Sequence, residues 1–335
     1  MQQRKRRVSM TDVARLAKVS PATVSRVLND TTNVSEEARS AVLKAADSLG
    51  YVRNLGAVSL ATTQTMTIGL LIRDLGNHFY GAVASHVRNQ AAKAGFDLLI
   101  VSCADNLESQ MRAVRCLLGH SVGGIIISSG RVAASVAEYA AKFVPTIALA
   151  TGLDLPSLSS VRIDPQSECD LAQQVVEHGH TCIAVTASTS ELTSALHART
   201  ANFLTQLVIS GAQTHIMSIQ SDLGKPLYRA VDEAIDAGAT AIMAGNDAIA
   251  LAILEYLDTI GLRCPEDISV TGFDGMGAYR SPLLGLTTVE QPVAKLAESA
   301  VDMICQKILD ESQATSQTLI QGRYIAGRTL GMKKG

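Results

Sequence analysis

The 335-residue chain has no tryptophan, five phenylalanines, seven tyrosines and only 18% charged residues. A flat ligand that stacks on a ring would therefore have few partners to choose from. No apolar run approaches the ~20 residues of a membrane-crossing helix; Gly123–Ile127 and Thr146–Ala150 are among the longest. Arg4, Lys5, Arg6 and Arg7 lead straight into Ser9, Met10, Thr11 and Asp12 with no apolar segment between, so no secretory signal is expected. The cysteines at 103, 116, 169, 182, 264 and 305 are scattered and never form C-x-x-C, the usage of a reduced cytoplasmic protein without disulfides or a zinc site. No GxGxxG opens a helix, and no Walker loop, G-x-S-x-G elbow or metal-ligand cluster occurs. No cofactor, metal or catalytic residue is expected, and the chain does not read as an enzyme. What is present is ample core material, 47% apolar residues over a length that suits two or three domains.

The net charge of −2 hides an asymmetry: residues 1–60 hold ten Lys/Arg against five acids, and the remainder nineteen against twenty-six. A small basic module on an acidic body suits contact with a polyanion. Its pattern is helical. Ser9 and Asp12 have the spacing of a capping box ahead of Val13, Ala14, Leu16 and Ala17, on a helix that should end near Lys18. Ser20 is a second N-cap, followed by Pro21 at the first helical position, where its missing N–H costs nothing. The helix from Pro21 to Asn29 turns Val24, Val27 and Leu28 inward and leaves Ala22, Thr23, Ser25 and Arg26 outward. A third starts at Ser35, repeats Ala38, Val42, Ala46 and Leu49, and stops at Gly50.

Two short helices joined by a three-residue turn and braced by a third make a helix-turn-helix, and MTDVARLAKVSPATVSRVLND closely resembles the headpiece of the LacI/GalR family of bacterial transcription regulators. The motif lays its second helix in the major groove of DNA. The resemblance implies that Pro21 and Ala22 set operator preference and that Arg26 and Thr11 reach base edges. An arginine there can grip guanine with two bonds, worth about 1–3 kcal/mol of discrimination. Ser20, Thr23, Ser25 and Asn29 suit phosphate contacts, which fix register. Residues 51–66, including Asn54, resemble the family's hinge, a short helix that orders in the minor groove and wedges the residue matching Leu60 between base pairs. Arg53 departs from a usual proline, and Val58 and Ala61 stand where basic residues are common.

From Met66 onward, strand-like runs alternate with helical stretches: 67–72, 97–102, 124–128, 146–150, 160–163, 182–187, 215–219, 240–244, 268–272 and 286–289. Near-continuous apolar strands separated by helices predict parallel sheets covered on both faces. The strands are too many for one ordinary sheet, so two lobes are expected. The region resembles the family's periplasmic-binding-protein-like core, giving an all-α headpiece (1–50), a hinge (51–66) and an α/β core of two lobes with parallel sheets. The resemblance implies 67–162 with 291–321 for the first lobe and 163–290 with 322–335 for the second.

Ligands of such sheets bind beyond the carboxyl ends of strands. Asn77, His78, Phe79 and Tyr80 follow the first strand there, Asp105 the second, and Ser128 ends the third. The resemblance implies effector contacts for Arg199 in R-T-A-N-F, where Asn202 replaces the family's glycine, for Asn246 and Asp247, and for Asp274. Phe79, Tyr80 and Phe273 are the rings available for stacking. Carboxylates, amides and an arginine suit a polyhydroxylated ligand, a carbohydrate or nucleoside; Asn77, Asn246 and Asp274 could equally be caps or turns. The expected partners are double-stranded operator DNA, a small-molecule effector and a second copy of the chain, with a tetramer left open and no membrane. Control by a protein coregulator, as in carbon-catabolite control, and a DNA-targeted sugar or nucleoside enzyme are the alternatives. If Leu60 is a wedge, Leu60→Ala weakens operator binding and reduces DNA bending in a gel-mobility assay; unchanged bending would contradict that role.

Overall fold

A computed structural model describes residues 8–28, 34–51, 65–219, 224–310 and 312–333. Asn29, Asn54, Leu60 and most of the expected hinge lie outside these residues. Two compact units divide the chain between Thr63 and Gln64.

The first unit contains α1 (Met10–Ala17), α2 (Pro21–Leu28) and α3 (Glu36–Leu49). The capping box at α1 is complete. Ser9 Oγ accepts from the Asp12 amide, and Asp12 Oδ2 accepts from the Ser9 amide at 3.0 Å. Lys18, at φ 55°, ends the helix in the left-handed region, and Ser20 Oγ then accepts from the Thr23 amide to open α2. Ser35 caps α3, and Gly50 closes it at φ 62°. Val13, Val24 and Val42 are fully buried where the helices meet, with Ala14, Val27, Ala45 and Ala46 around them. Each such valine contributes about 1.5–3 kcal/mol relative to exposure, which is how helices too short to persist alone are held.

The second unit is built on two parallel sheets. In the first, β1 (Thr67–Ile72) lies between β2 (Asp97–Ser102) and β3 (Gly124–Ser128). The sheet continues through β4 (Thr146–Leu149), β5 (Ser159–Ile163) and β11 (Gln317–Ile320). The second sheet has the order β7 (Gln213–Ile219), β6 (Cys182–Ser188), β8 (Ala241–Met243), β9 (Ser269–Thr271). Alternate side chains serve opposite faces, as the two-residue strand period requires. Ile68, Leu70, Ile72 and Ile126 pack with α4 (His78–Lys93) and α11 (Val293–Leu309), whereas Leu71, Ile125 and Ile127 pack with α5 (Leu107–Gly119) and α6 (Ala134–Ala141). Ile183 and Val185 likewise meet α7 (Gln166–Glu177) and α8 (Ser194–Ile209), with Ala184 and Ile242 turned to α9 (Lys225–Asp236) and α10 (Asp247–Thr259).

One element departs from the all-parallel expectation. Residues 288–290 form β10 (Thr288–Glu290), which pairs antiparallel with β12 (Arg323–Ile325) in a ribbon of its own. An apolar run gives no direction for its partner, and this partner lies far along the chain. Strand β11 escapes the apolar pattern altogether because it is a sheet edge, with Gln317 and Leu319 exposed. No described helix is long and apolar enough to cross a membrane.

Ser9→Ala removes the hydroxyl that accepts from the Asp12 amide, a loss of about 1 kcal/mol. Amide hydrogen exchange in α1 should then speed up roughly fivefold at this magnitude; unchanged exchange would show that the cap carries no stability.

Candidate functional site

On the first unit, Thr11, Ser20, Pro21, Ala22 and Arg26 are exposed, and Thr23 and Ser25 half-buried. Ala22 and Arg26 share one helical face by their four-residue spacing, opposite the buried Val24 and Val27. Ser20 Oγ and Thr23 Oγ1 lie 2.9 Å apart, so these two hydroxyls form one polar group at the opening of α2. The arrangement is an exposed helix start with an arginine one turn on, the geometry for entering a major groove.

On the second unit, the carboxyl ends of β1, β3 and β4 face those of β6, β8 and β9 across a cleft of about 1020 Å³, its open mouth included. Asn77, Phe79, Tyr80, Arg199, Asn246 and Asp274 all line it, from both walls. Asn77 Oδ1 accepts from the Phe79 amide and Asn246 Oδ1 from the Ile249 amide, so both asparagines cap helices while lining the cleft. Tyr80 Oη accepts from the Gly130 amide at 3.1 Å, and burial pushes its pKa up.

Arg199 is the most constrained of these groups. Its guanidinium lies 3.7 Å from the centre of the Phe273 ring, and Nη1 donates to the Gly245 carbonyl. Two carboxylates flank it: Glu168 Oε1 lies 3.7 Å from Nε and Asp274 Oδ1 3.8 Å from Nη1. Burial raises both carboxyl pKa values, opposed in each case first by the charge of Arg199. Asn202 Nδ2 donates to Glu168 Oε2 at 3.1 Å, giving the residue that replaces the family's glycine a definite task. Asp274 has φ 119°, a conformation that costs a non-glycine residue of order 1–3 kcal/mol. It is pinned there by its amide donating to Val289 O and by Gln291 Nε2 donating to its Oδ1 at 2.7 Å.

Five of the residues expected at the cleft are placed elsewhere. Asp247 is 1% exposed and does not line the cleft. Its Oδ1 accepts from Thr288 Oγ1 at 2.6 Å and its Oδ2 from the Gly275 amide at 2.7 Å, so it props the loop that carries Asp274. The space exists because residue 272 is glycine: a Cβ there would lie 2.4 Å from Asp247 Oδ1. Phe273 is buried under Arg199 and against Phe203, a platform rather than an open stacking surface. Ser128 is fully buried with its hydroxyl unpartnered among the described residues. Asp105 is exposed and does not line the cleft, holding Arg73 and Arg131. His78 is exposed and meets the Tyr279 ring edge-on at 5.8 Å.

Sequence reasoning missed Arg73, Asp74, Arg131, Ser188, Thr193 and Gln291, which also line the cleft. Each follows or closes a strand, so the carboxyl-end rule could have found them. The lobes touch beside the cleft: Ser194 Oγ and the Ala195 amide face the Gly130 carbonyl at 3.4 Å, and a Cβ on Gly152 would overlap the Ser194 carbonyl.

Residues 9–54 match the family described as bacterial regulatory proteins, lacI family, and residues 172–330 match the periplasmic binding protein-like domain. Catabolite control protein A of Priestia megaterium is 30% identical over 317 residues, covering 92% of this chain and 95% of its own. The HTH-type transcriptional repressor PurR of Aliivibrio fischeri is 30% identical over 318 residues, covering 90% and 92%. Among solved structures, the lac repressor dimer bound to operator and the anti-inducer ONPF superposes with a TM-score of 0.83 at 26% identity, covering 97% of this chain and all of that one.

Burial, and then the charge of Asp274, push the Asp247 carboxyl up from 3.8 to about 7. The native state thus holds this proton more tightly than the unfolded chain. The linked stability is fully present below about pH 4 and lost as pH rises toward and through about 7. Asp247→Asn can still accept from Gly275 and donate to Thr288, without the ionisation. Its thermal midpoint relative to wild type should therefore climb between about pH 5 and about pH 8; a pH-independent difference would contradict this.

Proposed function

The chain belongs to the lacI family of bacterial regulatory proteins, DNA-binding transcriptional regulators that join a helix-turn-helix to a ligand-binding core, and from that premise we propose a homodimeric repressor of a near-palindromic operator, controlled by a carbohydrate or nucleoside in the cleft. It acts in the cytoplasm, where the DNA of a bacterium lies. Thr11, Pro21, Ala22 and Arg26 reach base edges, and Ser20, Thr23, Ser25 and Asn29 hold phosphates. Residues 51–66 supply the hinge, with Asn54 and Leu60 at the minor groove. Pro21 and Ala22 have no side-chain donors, so their share of the readout is van der Waals contact, for instance with a thymine methyl.

The convergence of Asn77, Tyr80, Arg199, Asn246 and Asp274 on one cleft is the observation that carries the effector reading. A polyhydroxylated molecule bridging these groups contacts both lobes at once. It therefore binds one lobe arrangement better than another, and that difference sets how readily the hinge orders on DNA. Couplings of this kind are about 1–3 kcal/mol. The cleft is already polar on both walls, which favours a small molecule over a protein coregulator as the controlling partner. The relatives matched here are named as regulators, in keeping with a chain that binds its ligand and leaves it unchanged.

Operator affinity, measured by fluorescence anisotropy on a selected genomic fragment, should fall steeply with salt, each neutralised phosphate adding about −0.9 to the log–log slope. A nearly flat salt dependence would contradict the DNA contacts. Arg199→Lys keeps a cation between Glu168 and Asp274 but loses the planar fork. It should bind the operator within about twofold of wild type, a difference of roughly 0.4 kcal/mol, while losing the response to active metabolite fractions. A normal response would remove Arg199 from the effector site.

A further inference from the structure

We propose that the ligand of the cleft carries an anionic group, a carboxylate or a phosphate ester on a polyhydroxylated body, and that Arg73 and Arg131 receive it. The proposal rests on reading the cleft as the effector site and narrows the ligand within that reading. Strands β1 and β3 are neighbours in register, with Ile72 opposite Ser128, so the residues just beyond their carboxyl ends emerge side by side. Arg73 follows β1 by one position and Arg131 follows β3 by three, and both line the cleft.

One carboxylate serves both. Arg73 Nε donates to Asp105 Oδ1 at 3.0 Å and Oδ2 at 3.1 Å, and Arg131 Nη1 donates to Asp105 Oδ2 at 2.6 Å. Both oxygens of Asp105 are thus engaged while much of each guanidinium is not. A guanidinium has five N–H donors. Among the described residues, no protein acceptor meets the two terminal nitrogens of Arg73 or the Nε and Nη2 of Arg131. Asp105 therefore aligns the forks and leaves a surplus of one positive charge across the three groups. The Arg131 side chain is 11% exposed, which limits the solvent screening of any charge-assisted bond it makes. Charge-assisted bonds to a carboxylate or phosphate are the strongest that such donors can make. The positive end of α4, capped by Asn77, opens on the same space and adds a field of the same sign.

The opposite wall is chemically different. The charge of Arg199 is already faced by Glu168 and Asp274, which leaves Asn246, Gln291 and Asp274 as partners for hydroxyls. Asp74 lies at the exposed mouth, with Oδ1 accepting from the Gly76 amide. Phe79 and Tyr80 line the cleft but are largely buried and meet each other edge-on at 5.4 Å, and Phe273 lies under Arg199. A nucleoside base would find little exposed ring surface among the described residues. A sugar acid or sugar phosphate finds a cationic fork for its head and hydrogen-bonding groups for its body.

The test is calorimetric titration of the full-length protein with matched compounds: glucose, gluconate and glucose 6-phosphate; galactose and galacturonate; ribose and ribose 5-phosphate; and inorganic phosphate alone. At least one anionic compound should bind about tenfold or more tightly than its neutral parent, and the carboxylates and phosphates separate the two sources of charge. Arg73→Gln and Arg131→Gln should each erase most of that preference while shifting neutral-sugar affinity by less than about threefold; Arg131→Lys should restore part of it. Circular dichroism and thermal midpoints establish that the variants are folded. Neutral sugars binding as tightly as their acids would overturn the anionic assignment and leave the effector cleft standing. Preference for the anion in both glutamine variants would also overturn the assignment. Failure of every compound to bind would overturn both it and the cleft reading.

Discussion

Arg199 sits in the inter-lobe cleft with almost no access to water, and the wall of that cleft is arranged around the cost of keeping it there. Removing a guanidinium from water costs several kcal/mol unless its charge and donors are met. Here the Phe273 ring lies beneath it, the Gly245 carbonyl accepts from it, and Glu168 and Asp274 face it from two sides. Those partners come from α7, the loop after β8 and the loop after β9, so a single side chain ties together three elements of one lobe. Asn202 steadies Glu168, Gln291 steadies Asp274, and Asp247 props the loop beneath. The outcome is a wall in which one buried guanidinium is held between two carboxylates.

The first-lobe wall follows another rule. Arg73, Arg131 and Asp105 share charge unevenly, two cations to one anion, and keep donors in reserve. A wall of one cation and two carboxylates facing one of two cations and one carboxylate suits a ligand with hydroxyls at one end and negative charge at the other. Such a ligand spans both walls and senses their separation, which is what control of DNA affinity by a small molecule requires.

The headpiece was legible from sequence because its signals are local. Ser9 with Asp12, Ser20 with Pro21, and Ser35 with Gly50 each state a helix boundary within a few residues, and the apolar spacing between them states the buried face. The parallel sheets were legible for a similar reason, since apolar strands separated by helices have few other solutions. The antiparallel ribbon of β10 and β12 was not, because pairing direction belongs to two distant segments. The site divides the same way. Asn77, Asn246 and Asp274 stand just past strand ends, whereas Arg199 lies within α8, and resemblance to a known family marked Arg199, Asn246 and Asp274. Asp247, beside Asn246 in sequence, points away from the cleft because Gly272, far along the chain, leaves room for its carboxylate. Arg73 and Arg131 went unmarked because only the pairing of β1 with β3 makes them neighbours.

The central claim is that occupancy of the cleft and grip on the operator are two readings of one equilibrium. Linkage makes that coupling reciprocal: whatever factor a ligand imposes on operator affinity, the operator must impose on ligand affinity. The direct measurement is the dissociation constant of the active ligand for the full-length protein, with and without saturating operator DNA. The account predicts a change of about fivefold or more, equal to the ligand's own effect on operator binding. Equal constants in the two conditions would contradict it.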